Sequence, residues 1–129
     1  MKNFFEKNHD TFYSIARIMI GLLFAQHGAQ KLFGAFGGKA AELISLMGVV
    51  GVIEFTGGLL IALGLFTRLA AFATIIVMIG AYIKAHIPQG LIPIMNKGEL
   101  ALLFLAAFLI IISHGPGKWS LDKVFFKKK

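Results

Sequence analysis

Of the polar side chains inside or beside otherwise apolar stretches of this 129-residue chain, seven are candidates for chemistry: Arg17, His27, Gln30 and Lys31 in the first, Glu54 in the second, Lys84 in the third and Glu99 in the fourth. A carboxylate and an imidazole can take up and release protons near neutral pH. Lysine, glutamine and imidazole N–H groups can donate to a ligand oxygen. Glu54, His27 and Lys31 are therefore the candidate catalytic set, with Glu54 as proton relay. Gln30, Arg17, Glu99 and Lys84 are the candidate substrate-binding groups. Plainer readings stand beside these. Glu54 could pair with Arg17 or Lys31 only to fix helix register, and Arg17 could snorkel or pair structurally. Asn96-Lys97-Gly98-Glu99 reads as a capping box, which makes Glu99 first a helix cap. Lys84 and His86 suit helix ends at an interface, and His9 and His114 suit boundaries.

Cofactor signals are few. His27 and His86 are the one histidine pair suited to haem, and no spacing motif supports it. The sequence carries no flavin, nicotinamide, phosphate-loop or metal motif, and Gly57-Gly58 reads as helix packing. Without cysteine, the chain itself offers no thiolate nucleophile, disulfide or Cys-ligated cluster.

The elements that hold these groups follow from composition. Hydrophobic residues make up 57% and charged residues 15%, against roughly a quarter charged in soluble domains, and mean hydropathy is +0.80. A globule this small cannot hide that much apolar surface, so lipid is the fitting solvent. Four stretches approach the ~20 residues a span needs: 11–33, 43–66, 68–87 and 96–113. Backbone polar groups cannot be satisfied in lipid, so each stretch should be a helix. No small-x-small site follows the first stretch, so signal cleavage is not expected.

These elements predict one all-α domain over 1–129, an integral membrane four-helix bundle of up-down-up-down order. Gly34, the Gly64 turn, the Pro88/Gly90/Pro93 loop and Gly115-Pro116-Gly117 separate the spans. Ser120 should cap a short interfacial helix at 120–127, with Trp119 at headgroup level. Both tails and the second loop carry eight basic residues, the other side four, so both termini are expected in the cytoplasm. The net charge of +7 thus follows from topology and does not point to nucleic acid.

Helical geometry then places the polar groups. Arg17, Gly21, Phe24, Gly28 and Lys31 lie within about 40° of one line. Gly51, Gly57 and Gly58 flank Glu54 and would let another helix come close, so Glu54 should point inward. At ~1.5 Å per residue, Lys31 lies ~3 Å, His27 ~9 Å and Glu54 ~15 Å below the outer boundary. A polar cluster in the outer half is expected, with Lys84, His86 and Glu99 at its mouth and Arg17 nearer the inner side.

Arg17…Gly21-Leu22-Leu23-Phe24…His27-Gly28…Lys31-Leu32-Phe33-Gly34 resembles the opening motif of the DoxX family. Glu54…Gly57-Gly58-Leu59-Leu60…Leu63-Gly64-Leu65-Phe66-Thr67-Arg68 is similar to its second motif. Glu99 and Gly115-Pro116-Gly117…Ser120-Leu121-Asp122 match its end. The resemblance implies a small multi-pass protein of the bacterial inner membrane. It implies an oxidoreductase or the membrane subunit of a quinone-linked redox complex, in some relatives tied to oxidant or quinone stress. Arg17, His27, Lys31, Glu54, Arg68, Glu99 and Asp122 carry its motif positions. The cofactor stays open, with quinone one candidate, and the electrons would come from a soluble partner or a bound small molecule. The other expected partners are the bilayer and further copies of the chain. A non-enzymatic accessory protein that anchors a partner is the alternative, and a small-solute transporter ranks last.

Overall fold

Residues 3–126 are described by the computed structural model; Lys2 and the lysines at 127–129, and with them the last position of the expected 120–127 helix, lie outside the described residues. The regular structure among those residues is all helical, with no strand. Four helices dominate: α2 (His9–Phe33), α3 (Leu46–Leu63), α4 (Thr67–Ala81) and α6 (Glu99–His114). Short helices α1 (Phe4–Lys7), α5 (Pro93–Asn96) and α7 (Leu121–Phe126) accompany them.

Glycine sets two of the helix ends. Gly34 closes α2 at φ 69° and Gly64 closes α3 at φ 69°, a conformation other residues avoid. Leu65 N–H then donates to the Leu60 carbonyl, completing the turn into α4. Ser45 caps α3 through its hydroxyl, which accepts from Gly48 N–H at 3.1 Å. That cap starts α3 three residues later than the apolar stretch at 43–66. Ser120 caps α7 as expected, accepting from Lys123 N–H at 3.3 Å. Past Ala81 the third helix winds into a π-helical turn, Tyr82–His86, and a 3-10 turn, Ile87–Gln89. Pro88 and Gly90 end it there, beyond the expected limit at 87.

The expected capping box at Asn96 does not form. Pro93 starts α5, Asn96 is its last residue, and Gly98 occupies the cap of α6 with no side-chain hydrogen bond. Asn96 Oδ1 accepts from Gly98 N–H at 2.8 Å, one residue short of the box. Glu99 therefore has no reciprocal cap to make and stays exposed in the first turn of α6.

The helices pack as two close pairs. Between α2 and α3 a glycine seam brings backbones together: a Cβ on Gly58 would lie 2.5 Å from Ala25 N, and one on Gly28 would collide with Phe55. The α4–α6 pair meets through Ala70, Ala71, Phe108 and Ile111, all buried. Phe24 joins the pairs, its ring edge-on to Phe108 at 4.8 Å. Outside, large apolar side chains are bare: Met19, Leu22, Val52, Phe72, Leu103 and Ile110 are all exposed. Such an exterior suits lipid rather than water. By length and composition, Leu46–Leu63 and Thr67–Gln89 can cross a membrane, and Glu99–His114 is apolar but shorter. α2 has 25 residues and carries Asp10, Arg17 and Lys31.

Candidate functional site

Charged groups gather at two ends of this scaffold. At the end where α2 begins and α6 ends, Arg17 is fully buried. Its guanidinium donates to the carbonyls of Ile61 (3.0 Å) and Ala62 (3.4 Å) and to those of Pro116 and Trp119. These are carbonyls of the last turn of α3 and of the segment after α6, and that of Ile61 also accepts from Gly64 N–H at 3.1 Å. Asp122 treats the start of α4 in the same way. Its carboxylate accepts from Phe66 N–H (2.7 Å), Thr67 N–H (3.0 Å) and Thr67 Oγ1–H (2.9 Å). Arg68 donates to the Ile112 and Ser113 carbonyls of α6 at 3.0 and 3.1 Å. Tyr13 O–H donates to the Gly115 carbonyl at 2.5 Å.

The far end holds a cavity of about 810 Å³ between α2, α3, α4 and α6. Phe24, Met78 and Phe104 are apolar wall residues, and His27, Lys31, Glu54, Lys84, His86 and Lys97 supply its polar lining. Lys31 Nζ lies 2.7 Å from Glu54 Oε1. Glu54 is 4% exposed. Gly51 makes this reach possible, because a Cβ there would come within 2.9 Å of Lys31 Cβ. Only one of the two Glu54 oxygens has a partner among the described residues. The half-buried His27 ring stands edge-on to Phe104 at 5.7 Å, and its nitrogens have no partner among those residues. The site therefore keeps an acceptor and an imidazole in reserve beside a buried ion pair.

His86 is held differently. Its Nδ1 lies 3.0 Å from the Asn96 carbonyl, which can only accept. The proton is thus on Nδ1, leaving Nε2 as the acceptor of the neutral ring. Asn96 is fully buried; its amide donates to Tyr82 Oη at 3.0 Å and to the Gly90 carbonyl at 2.9 Å. This Tyr82–Asn96–His86 network fastens the proline-broken loop to α4. Sequence reasoning missed Tyr82 and misassigned Asn96. The available signal was a polar pair flanking a Pro-Gly-Pro loop.

Of the expected site residues, Glu54, His27, Lys31 and Lys84 line the cavity. Arg17, Gln30 and Glu99 do not. Arg17 lies at the opposite end, Gln30 donates to the Phe36 carbonyl of the α2–α3 loop at 3.3 Å, and Glu99 lies outside the lining. His27 and His86 share the cavity, but among the described residues no group of three or more His, Asp or Glu side chains could hold a metal ion.

Comparison with known proteins adds a family. A family model described as DoxX matches residues 12–87. An uncharacterized protein of Haemophilus influenzae is 40% identical, covering 98% of this chain and 99% of its own. Inner membrane protein YqjF of Escherichia coli is 30% identical over 95% of this chain and 98% of its own. A Bacillus subtilis protein named Putative oxidoreductase CatD is 30% identical over 89% of this chain and 87% of its own. No solved structure matches the chain.

Proposed function

The chain belongs to the DoxX family of membrane proteins, and on that premise we propose that it is the membrane subunit of a quinone-linked redox system. Its four long helices cross the bacterial cytoplasmic membrane up-down-up-down, with both termini inside and the cavity in the outer half. The observation that carries the reading is the cavity itself, with apolar walls and polar groups whose bonding capacity is incompletely used. Its volume is within the range that holds small cofactors. The name of the Bacillus subtilis relative supports the same class of chemistry.

The chain's own groups fit a ring with two carbonyl oxygens. Phe24, Met78 and Phe104 exclude water and press on its faces. Lys31 and His27 are donors for one oxygen. Glu54, with one oxygen held by Lys31, has a second to receive and pass a proton. Bound there, quinone supplies two-electron, two-proton chemistry. The electrons come from a soluble partner, since the sequence has no flavin or nicotinamide motif and no cysteine.

Gently purified protein in nanodiscs should release quinone on organic extraction, and its bound quinone should exchange electrons with added quinol. Glu54→Gln should insert normally and lose that exchange. Full exchange in Glu54→Gln overturns the reading. A stoichiometric protein partner without quinone would favour the accessory role, in which Lys31–Glu54 only fixes register. Single cysteines at Lys39 and Lys123 should label from opposite sides of the membrane; labelling from one side removes the four crossings.

A further inference from the structure

Three features of the cavity mouth have no role in holding the fold together. The first is charge. Lys31 is matched by Glu54, but no carboxylate among the described residues lies within 4.0 Å of Lys84 or Lys97, the other two lysines of the lining. The second is backbone. Lys97 closes α5 at φ 62°, where glycine or asparagine would sit with less strain. Gly98, beside it, is fixed by space, since a Cβ there would come within 2.5 Å of the Tyr82 ring. Packing therefore accounts for Gly98 and leaves the lysine at 97 unexplained. Strained non-glycine residues gather at ligand clamps.

The third feature is a gap. Gly80 lines the cavity from α4, is exposed, and would meet nothing within 4 Å if given a Cβ. Gly21, Gly28 and Gly58 of the α2–α3 seam are the opposite case, each pressed against backbone. A helical glycine that no neighbour requires lowers helix stability. What it does provide is an opening in the wall, opposite Leu46 and Met47 of α3, which line the same cavity and are exposed.

We infer that the cavity admits an amphiphile with an acidic head, which enters past Gly80 and sets its ionised group against Lys84 and Lys97 while its apolar body lies along Phe24, Met78 and Phe104. This rests on the cavity being the ligand site of the proposed function, and adds the head group it selects. A quinone with an acidic substituent meets both readings; a neutral one meets only the first. The acid is a free carboxylate or the phosphate of a membrane lipid, and both present the same charge to the rim.

The probe is a dansyl-labelled medium-chain fatty acid and its methyl ester, titrated into protein in neutral phosphatidylcholine nanodiscs. Wild type should hold the acid roughly tenfold more tightly than the ester, the scale of a charge-assisted hydrogen bond. The double variant Lys84→Gln/Lys97→Gln should remove that difference and leave ester binding unchanged. Gly80→Leu should block both probes without lowering the melting temperature. Equal binding of acid and ester by wild type, or a preference that survives the double variant, overturns the inference. Displacement of the acid by phosphatidylglycerol supports it and assigns the head to a lipid phosphate; displacement only by unlabelled fatty acid supports it and assigns a carboxylate. Quinone binding is measured on the same variants. Quinone held by wild type and lost in Gly80→Leu, with acid and ester bound equally, overturns the acidic head and leaves the redox reading standing. Acid preference without quinone binding does the reverse.

Discussion

The two polar ends contain similar ingredients and use them in opposite ways. Where α2 begins and α6 ends, Arg17, Arg68 and Asp122 each bond to backbone groups at helix ends. At the far end Glu54 keeps an open oxygen, His27 has no partner among the described residues, and Lys84 and Lys97 face the cavity without a carboxylate beside them. A charge inside a membrane protein is thus not by itself a sign of chemistry. What separates the two cases is whether the protein has already used the group's bonding capacity.

Breaking the closed end should cost most. Arg17→Met leaves buried carbonyls from two segments unpaired, and a loss of about 3–5 kcal/mol is expected. Thermal unfolding in detergent measures it; a midpoint within ~2 °C of wild type would end the contrast. Asp122→Ala comes next, at about 1–2 kcal/mol for a lost helix cap. Hydrogen exchange at the Phe66 and Thr67 amides should accelerate first, and unchanged protection there would remove Asp122 from the closing role.

The ion pair of the open end is expected to contribute less. Lys31 keeps 23% of its side chain exposed, which screens the charge, so a double-mutant cycle of Lys31→Met and Glu54→Gln should give coupling of about 1 kcal/mol. Coupling as large as the Arg17 effect would make the pair structural. The smallest stability effect belongs to His27→Ala, within about 0.5 kcal/mol, with quinone exchange lost nonetheless. Retained exchange with lowered stability would move His27 into the packing.

Much of the scaffold was legible in the sequence because its signals are local. Gly34 and Gly64 end helices by a conformation that glycine adopts freely, and the Pro88–Pro93 loop breaks one by removing N–H donors. Glu54 could be placed inward because the glycines around it mark a close helix neighbour, and its pairing with Lys31 was one of the two pairings considered. Arg17 could not be separated from the site, because its partners are backbone carbonyls 44 to 102 positions away, and a carbonyl has no residue identity to read. Asn96 failed for a related reason. A four-residue motif fits a cap, but Pro93 had already started a separate helix that took Asn96 into its last position.

The π-helical turn at Tyr82–His86 has a consequence in the language of insertions and deletions. A π-turn holds one residue more than the α-helical turn it replaces. Removing a single residue there, Ala85 for instance, would let the turn close as α-helix with the downstream segment facing nearly the same way, whereas one residue removed from the regular α-helix Thr67–Ala81 would swing that segment by about 100° around its axis. The second deletion, not the first, would carry His86 away from the Asn96 carbonyl. The loop thus tolerates the loss of one codon inside the π-turn and not the loss of one before it.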